Sequence, residues 1–154
     1  MDTTRTTELR SLLDQAAFAA RAGYEEGGVP IGAAIALADG TVVGASANRR
    51  AQDHDQTAHA EISAARLAGI DVDLRGATLA TTLIPCWMCA GMIDHLGITT
   101  VVVGDDTSWP DLTIDWLRTR GVEVILMDET PTRALLADWI AAHADDWRPR
   151  EPDA

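Results

Sequence analysis

The chain has 154 residues, 47% of them hydrophobic, which is enough for one packed core and too apolar for disorder. Its twelve basic residues, all arginine, stand against 24 acidic ones, a formal net charge of −12. Such a surface repels phosphate backbones and anionic lipid heads, so the expected partner is a small neutral or cationic molecule and neither a nucleic acid nor a membrane.

No run of eighteen apolar residues predicts a membrane span, and the opening MDTTRTTELR lacks the apolar stretch of a signal peptide. A cytoplasmic protein with reduced thiols is therefore the expectation. No linker or repeat divides the sequence, so residues 1–154 are read as one domain.

In chain order, TELRSLLDQAAFAARAGYEEG (7–27) places Leu9, Leu12, Leu13, Ala16, Ala17 and Ala20 at helical spacing and predicts an amphipathic helix closed by Gly27–Gly28. IGAAIALADGTVVGASAN (31–48) is two short apolar runs about Asp39–Gly40, a hairpin signature. HAEISAARLAG (59–69) predicts a helix, ATLATTLI (77–84) a strand and CWMCAGMIDHLG (86–97) a second helix. ITTVVVG (98–104) reads as a buried strand, WPDLTIDWLRTRG (109–121) as a helix, VEVILM (122–127) as a strand and the segment from Pro131 to Trp147 as a final helix. Strands alternating with helices predict an α/β fold: a three-layer α/β/α sandwich on a mixed, mostly parallel five-stranded sheet, with the first hairpin as the antiparallel exception.

The only cysteines, Cys86 and Cys89, lie three residues apart at a predicted helix start, where the helix dipole favours thiolate. Alone, Cys-x-x-Cys leaves three readings open: half of a metal site, a redox dithiol, or two buried thiols. His59 and Glu61 open the preceding helix, one strand upstream, and at a first turn both can lean over the same space. His59 can then be a third ligand while Glu61 stays off the metal, and three protein ligands with a fourth position left to water mark a catalytic zinc. His54, His95 and His143 stand singly and read as surface or packing residues.

His-x-Glu followed by Pro-Cys-x-x-Cys is the signature of zinc-dependent nucleobase deaminases. Beyond it, the chain resembles the fungal (yeast-type) cytosine deaminases of the cytidine deaminase-like superfamily. The likeness runs through GYEEGGVPIGAAI, Asn48, HAEISAARLAG, TTLIPCWMCAGMI, VVVGDD, LRTRGVEVILMD and the closing ADDW. It implies one Zn²⁺ per chain held by His59, Cys86 and Cys89, Glu61 as the proton shuttle, and a homodimer. It also implies that Asn48 and the backbone N–H of Ala60 contact the ring carbonyl, and that Ile31, Trp109 and Trp147 line the ring pocket.

Two positions depart from that family. Trp109 stands where it usually has phenylalanine. After Trp147 the family has an acidic stretch whose aspartate contacts substrate; here the tail is RPREPDA, with Arg150 at that place. A permanent donor cannot replace an acceptor, which leaves Asp146 or Asp153 to compensate. Trp87, Trp116 and Trp139 read as packing or interface residues.

The expected function is a hydrolytic deaminase of a free amino-substituted heterocycle, with cytosine first. Isocytosine, a guanine-like purine, an aminotriazine and creatinine are the alternatives that the altered tail keeps open. A tRNA adenosine deaminase would share the motifs but needs an RNA-binding surface that this charge does not advertise. A non-enzymatic zinc or dithiol module is the reading from another class.

Overall fold

Along strand β1 (Gly32–Ala36), Ala33 and Ile35 belong to one buried cluster and Ala34 and Ala36 to another. The alternation recurs in β3 (Thr78–Thr81), with Leu79 opposed to Ala80, and in β4 (Thr100–Val103), with Val101 and Val103 opposed to Val102. Successive strand residues face opposite sides, so the sheet is covered on both faces. In this computed structural model, which describes residues 1–147, helix α1 (Thr3–Glu25) covers one face with Leu9, Leu12, Leu13 and Ala16. Helices α3 (Ala60–Ala68), α4 (Trp87–His95) and α5 (Ile114–Thr119) cover the other with Ala64, Ala90, Ile93 and Leu117.

The remaining elements are β2 (Val42–Ala47), the single turn α2 (Arg50–Asp53), β5 (Glu123–Leu126) and α6 (Thr130–Ala142). The sheet order is β2-β1-β3-β4-β5. β1 pairs antiparallel with both β2 and β3, whereas β3–β4 and β4–β5 are parallel. Four of the five strands therefore share one direction and β1 alone runs against them. The expected three-layer α/β/α sandwich on a mixed, mostly parallel sheet is the observed one. The antiparallel exception is wider than a hairpin, because the chain crosses over β1 on its way from β2 to β3.

Two glycines let the layers approach. A methyl group at Gly32 would come within 1.9 Å of the Ala16 carbonyl oxygen of α1, and one at Gly44 within 2.1 Å of the Ala64 carbonyl oxygen of α3. Opposite faces of the hairpin thus rest on helix backbone, which fixes α3 above the sheet with its N-terminus at one end.

The elements differ most from expectation in four places, one of them the final helix, which ends at Ala142 and does not reach Trp147. Helix α1 begins at Thr3, with the Thr6 N–H already donating to the Asp2 carbonyl at 3.0 Å, and the Thr6 and Thr7 hydroxyls fold back onto the carbonyls of Asp2 and Thr3. The turn α2 was not expected; the Asn48 side chain starts it by accepting the Arg50 N–H at 3.1 Å. Helix α5 starts at Ile114, five residues later than Trp109, because the loop ahead of it is engaged elsewhere. Among the described residues no helix is long and apolar enough to cross a membrane.

Candidate active site

Helices α3 and α4 both begin at the same end of the sheet. His59 is the N-cap of α3 and Cys86 the N-cap of α4, each with extended backbone, and neither cap is satisfied by its own side chain. Their side chains are thereby free to face each other: His59 Nδ1 lies 3.4 Å from Cys86 Sγ and 3.6 Å from Cys89 Sγ. Cys89, one turn into α4, is fully buried, and the three donor atoms lie within 4.8 Å of one another. A tetrahedral zinc with bonds of about 2.3 Å to sulfur and about 2.1 Å to nitrogen sets N···S separations of roughly 3.6 Å. The donor set and its spacing therefore fit zinc. It is the group of His, Cys, Asp and Glu side chains among the described residues that could hold a metal ion.

Electrostatics at this cluster favour the ligand form of one side chain, the Cys86 thiolate. The Cys86 thiol is lowered to about 4, chiefly by its hydrogen bond with Cys89 and also by His59, against the cost of burial. Cys89 is pushed up by its neighbour Cys86, by burial and by the charge of Glu61. Burial lowers the His59 imidazole, but Cys86 and the charge of Glu61 outweigh it and raise the net value, with Arg50 opposing.

Glu61, in the first turn of α3, is only 4% exposed, and burial pushes its carboxyl up. Its Oε2 accepts from the Cys89 thiol at 3.4 Å, while its Oε1 lies 3.1 Å from the Thr81 hydroxyl. A carboxyl held among three ligand-type side chains, with its acid form favoured, is suited to carry a proton at near-neutral pH.

A cavity of about 170 Å³ opens in front of this cluster, lined by Ile31, Asn48, His59, Glu61, Cys86, Trp109 and Trp147 among others. That is below the roughly 300–1,000 Å³ of drug-sized sites and suits one or two fused rings. Asn48 is 5% exposed; its Oδ1 caps α2, and no acceptor among the described residues takes its Nδ2, which leaves an amide donor on the cavity wall. The Ala60 methyl is buried in the core, while its N–H is among the unpaired amides at the α3 N-terminus. Trp109 and Trp147 meet edge to face at 5.1 Å, and Trp139 meets Trp147 at 6.0 Å, closing an aromatic wall.

Trp139 corrects an expectation: read as packing, it lines the cavity while stacking on His143 at 4.4 Å. Trp87 and Trp116 do pair with each other, at 5.8 Å, outside the cavity. Asp146 is on the cavity wall; Arg150 and Asp153 lie outside the described residues. His54, His95 and His143 stay clear of the ligand cluster.

Sequence reasoning missed Arg50, Val29, Leu83 and Ile84 on the wall, and Asp105 behind it. Asp105, 1% exposed, accepts the Thr107 N–H at 2.8 Å and the Thr107 hydroxyl at 2.7 Å, shaping the loop that carries Trp109. The Thr113 hydroxyl donates to the Pro85 carbonyl at 2.7 Å and ties that loop to the Cys-x-x-Cys turn. Gly104-Asp105-Asp106 was the available signal, an Asx-turn sequence after a strand.

Against known proteins, the family described as "Cytidine and deoxycytidylate deaminase zinc-binding region" matches residues 6–105. A cytosine deaminase of Candida albicans is 36% identical over 144 residues, covering 90% of this chain and 91% of that protein. A tRNA-specific adenosine deaminase of Agrobacterium fabrum is 40% identical over 100 residues, 63% of this chain and 65% of its own length. A structure solved in complex with 2,6-diaminopurine superposes with a TM-score of 0.74 at 26% identity, covering 88% of this chain and 82% of the other.

Proposed function

Because this chain belongs to the cytidine and deoxycytidylate deaminase zinc-binding family, we propose that it is a zinc-dependent hydrolytic deaminase of a free amino-substituted heterocycle, cytosine being the first candidate. The observation that carries the reading is the meeting of His59, Cys86, Cys89 and buried Glu61 at one wall of a cavity that fits a small ring.

In this reading His59, Cys86 and Cys89 hold the zinc, which when bound supplies a Lewis acid that makes water an available nucleophile near neutral pH. Glu61 takes a proton from the attacking water and passes it to the ring nitrogen next to the amino-bearing carbon. It then moves the second proton of that water to the departing amino group. The C–N bond breaks, ammonia leaves, and the ring carbon keeps the oxygen as a carbonyl. The Asn48 Nδ2 and the Ala60 N–H donate to the ring's existing carbonyl, and the tryptophan wall with Ile31 holds the ring and excludes bulk water.

Cytosine is favoured over a tRNA adenosine by three observations. The alignment with the cytosine deaminase extends over 90% of the chain, the cavity is small, and the net charge of −12 opposes an RNA backbone. The 2,6-diaminopurine complex of a similar fold keeps an aminopurine as the second reading. A homodimer is part of the proposal, supported by the exposure of Trp87 (51%) and Met88 (37%) on α4, the helix that carries Cys89.

The test is ammonia release by zinc-loaded protein from cytosine, isocytosine, guanine, creatinine, aminotriazines and cytidine, with Glu61→Ala in parallel. Turnover of a free ring that is lost in Glu61→Ala with zinc retained supports the reading. Silence on every ring, or undiminished turnover by Glu61→Ala, overturns it.

A further inference from the structure

Thr81 is the last residue of β3 and is completely buried. It continues the Leu79 side of the strand, so its side chain stands under the first turn of α3. There its hydroxyl lies 3.1 Å from Glu61 Oε1 and 2.9 Å from the Leu83 carbonyl oxygen. From these contacts we infer that Thr81 is a positioning residue for the proton-carrying carboxyl, fixing Oε1 so that Oε2 faces the ligand cluster. This inference rests on the role proposed for Glu61.

The contacts fit a donor at Oε1. A hydroxyl proton rotates to suit its surroundings, and the Thr81 hydroxyl stands between Glu61 Oε1 and the Leu83 carbonyl oxygen. Oε1 accepts from it whether or not a proton rides on Oε2, so the oxygen that faces the ligand cluster is left free to take and release one.

The backbone makes the arrangement rigid. The Thr81 carbonyl accepts the Gly104 N–H at 2.9 Å, tying the end of β3 to the end of β4. Thr81 itself is paired in register with Ala33 on one side and Val103 on the other. With strand backbone on both sides, the hydroxyl cannot drift, and the other carboxyl oxygen, 3.4 Å from Cys89 Sγ, is aimed with it.

The experiment compares Thr81→Val, which keeps shape and loses the hydroxyl, with Thr81→Ser, which keeps the hydroxyl and loses the methyl group. Each is loaded with zinc and examined for kcat, KM, metal content and crystal structure. Thr81→Val should lose about ten- to a hundredfold in kcat, the worth of one hydrogen bond to a charged group, with KM within about twofold and zinc unchanged. In its crystal structure the Glu61 carboxyl should leave its place. Thr81→Ser should keep both the carboxyl position and kcat within about threefold. If Thr81→Val is insoluble, Thr81→Ala, which adds no bulk, carries the same prediction.

A Glu61 carboxyl that stays in place without the hydroxyl, or equal loss of kcat in the valine and serine variants, overturns the inference. Failure of the deaminase reading is separate: no ring would release ammonia from the unaltered protein, while the crystal structures would still report whether Thr81 positions Glu61.

Discussion

His59 and Cys86 hold the same position in two different helices: each is the N-cap, and their side chains meet at 3.4 Å between Nδ1 and Sγ. Two helix starts, after different stretches of chain, thus deliver candidate ligand atoms to one point. The positive ends of both helix dipoles face that point and favour the thiolate there. Cap position also explains how His59 and Glu61, two residues apart, serve one site. His59 is still extended and Glu61 is already in the first turn, so they need not share a helix face.

The first prediction concerns Cys86 in metal-free protein. Its pKa is lowered from 9.0 to about 4, so the thiol is ionised throughout the range above that value. Its iodoacetamide alkylation rate should be nearly level between about pH 6 and 8, whereas an ordinary thiol accelerates about tenfold per unit below its pKa. Cys89, pushed up and buried, should stay unmodified. Mass spectrometry of the alkylated peptide reads both, and a Cys86 rate climbing steeply through pH 8 contradicts the assignment.

Metal content gives the second prediction. His59→Ala, Cys86→Ser and Cys89→Ser should each drop bound zinc from one per chain to below about a tenth, as elemental analysis would show. Ligand binding stabilises a fold by about 2.7 kcal/mol when the free ligand stands at a hundred times its dissociation constant. The unaltered protein should therefore melt higher with zinc than after chelation, and the three variants should melt alike in both conditions. Full zinc occupancy in Cys86→Ser would remove that residue from the ligand set.

How much of this was legible in the sequence follows from the range of each interaction. Periodicity in α1, the Asp39–Gly40 turn and the apolar run 98–104 are local signals, and each element was expected close to where it formed. The ligand cluster was legible because helix-start chemistry fixes where His59 and Cys86 stand. What escaped was set by contacts between distant residues. Pairing of β1 with β3 depends on a crossover, the late start of α5 on the loop shaped by Asp105, and the contact of Thr81 with Glu61 on a strand passing beneath a helix. Arg50 was hidden for a related reason, since it sits on a single helical turn that only the Asn48 side chain announces.

A third prediction tests how the layers set the site. Gly32→Ala places a methyl group 1.9 Å from the Ala16 carbonyl oxygen and 2.7 Å from the Ala20 nitrogen, both backbone atoms of α1. Neither can yield without shifting the helix, so the variant should lose about 1–3 kcal/mol or more of stability. Gly91→Ala is the contrast: Gly91 lies in α4 with nothing within 4 Å, so alanine there should be neutral or stabilise by up to about 1 kcal/mol. Urea denaturation midpoints compare the two, and equal midpoints for both variants would mean that α1 does not rest on Gly32.

The last prediction concerns Arg50, which sequence reasoning passed over. Eight of the arginines among the described residues form ion pairs with carboxylates: Arg5, Arg10, Arg49, Arg66, Arg75, Arg118, Arg120 and Arg133. Arg50 forms no ion pair among the described residues, although it lines the cavity together with Asp146 and the chain carries 24 acidic side chains. On the proposed function, a guanidinium at the cavity wall would donate to acceptor atoms on the ring's outer edge, a contact made alike before and during the reaction. Such uniform binding enters KM and leaves kcat alone. Arg50→Ala should therefore raise KM about five- to twentyfold, the worth of about 1–2 kcal/mol, with kcat within about threefold. Steady-state kinetics on whichever ring the protein turns over would decide it. A fall in kcat at unchanged KM would instead place Arg50 in the reaction itself, acting on the His59 imidazole whose pKa it already lowers.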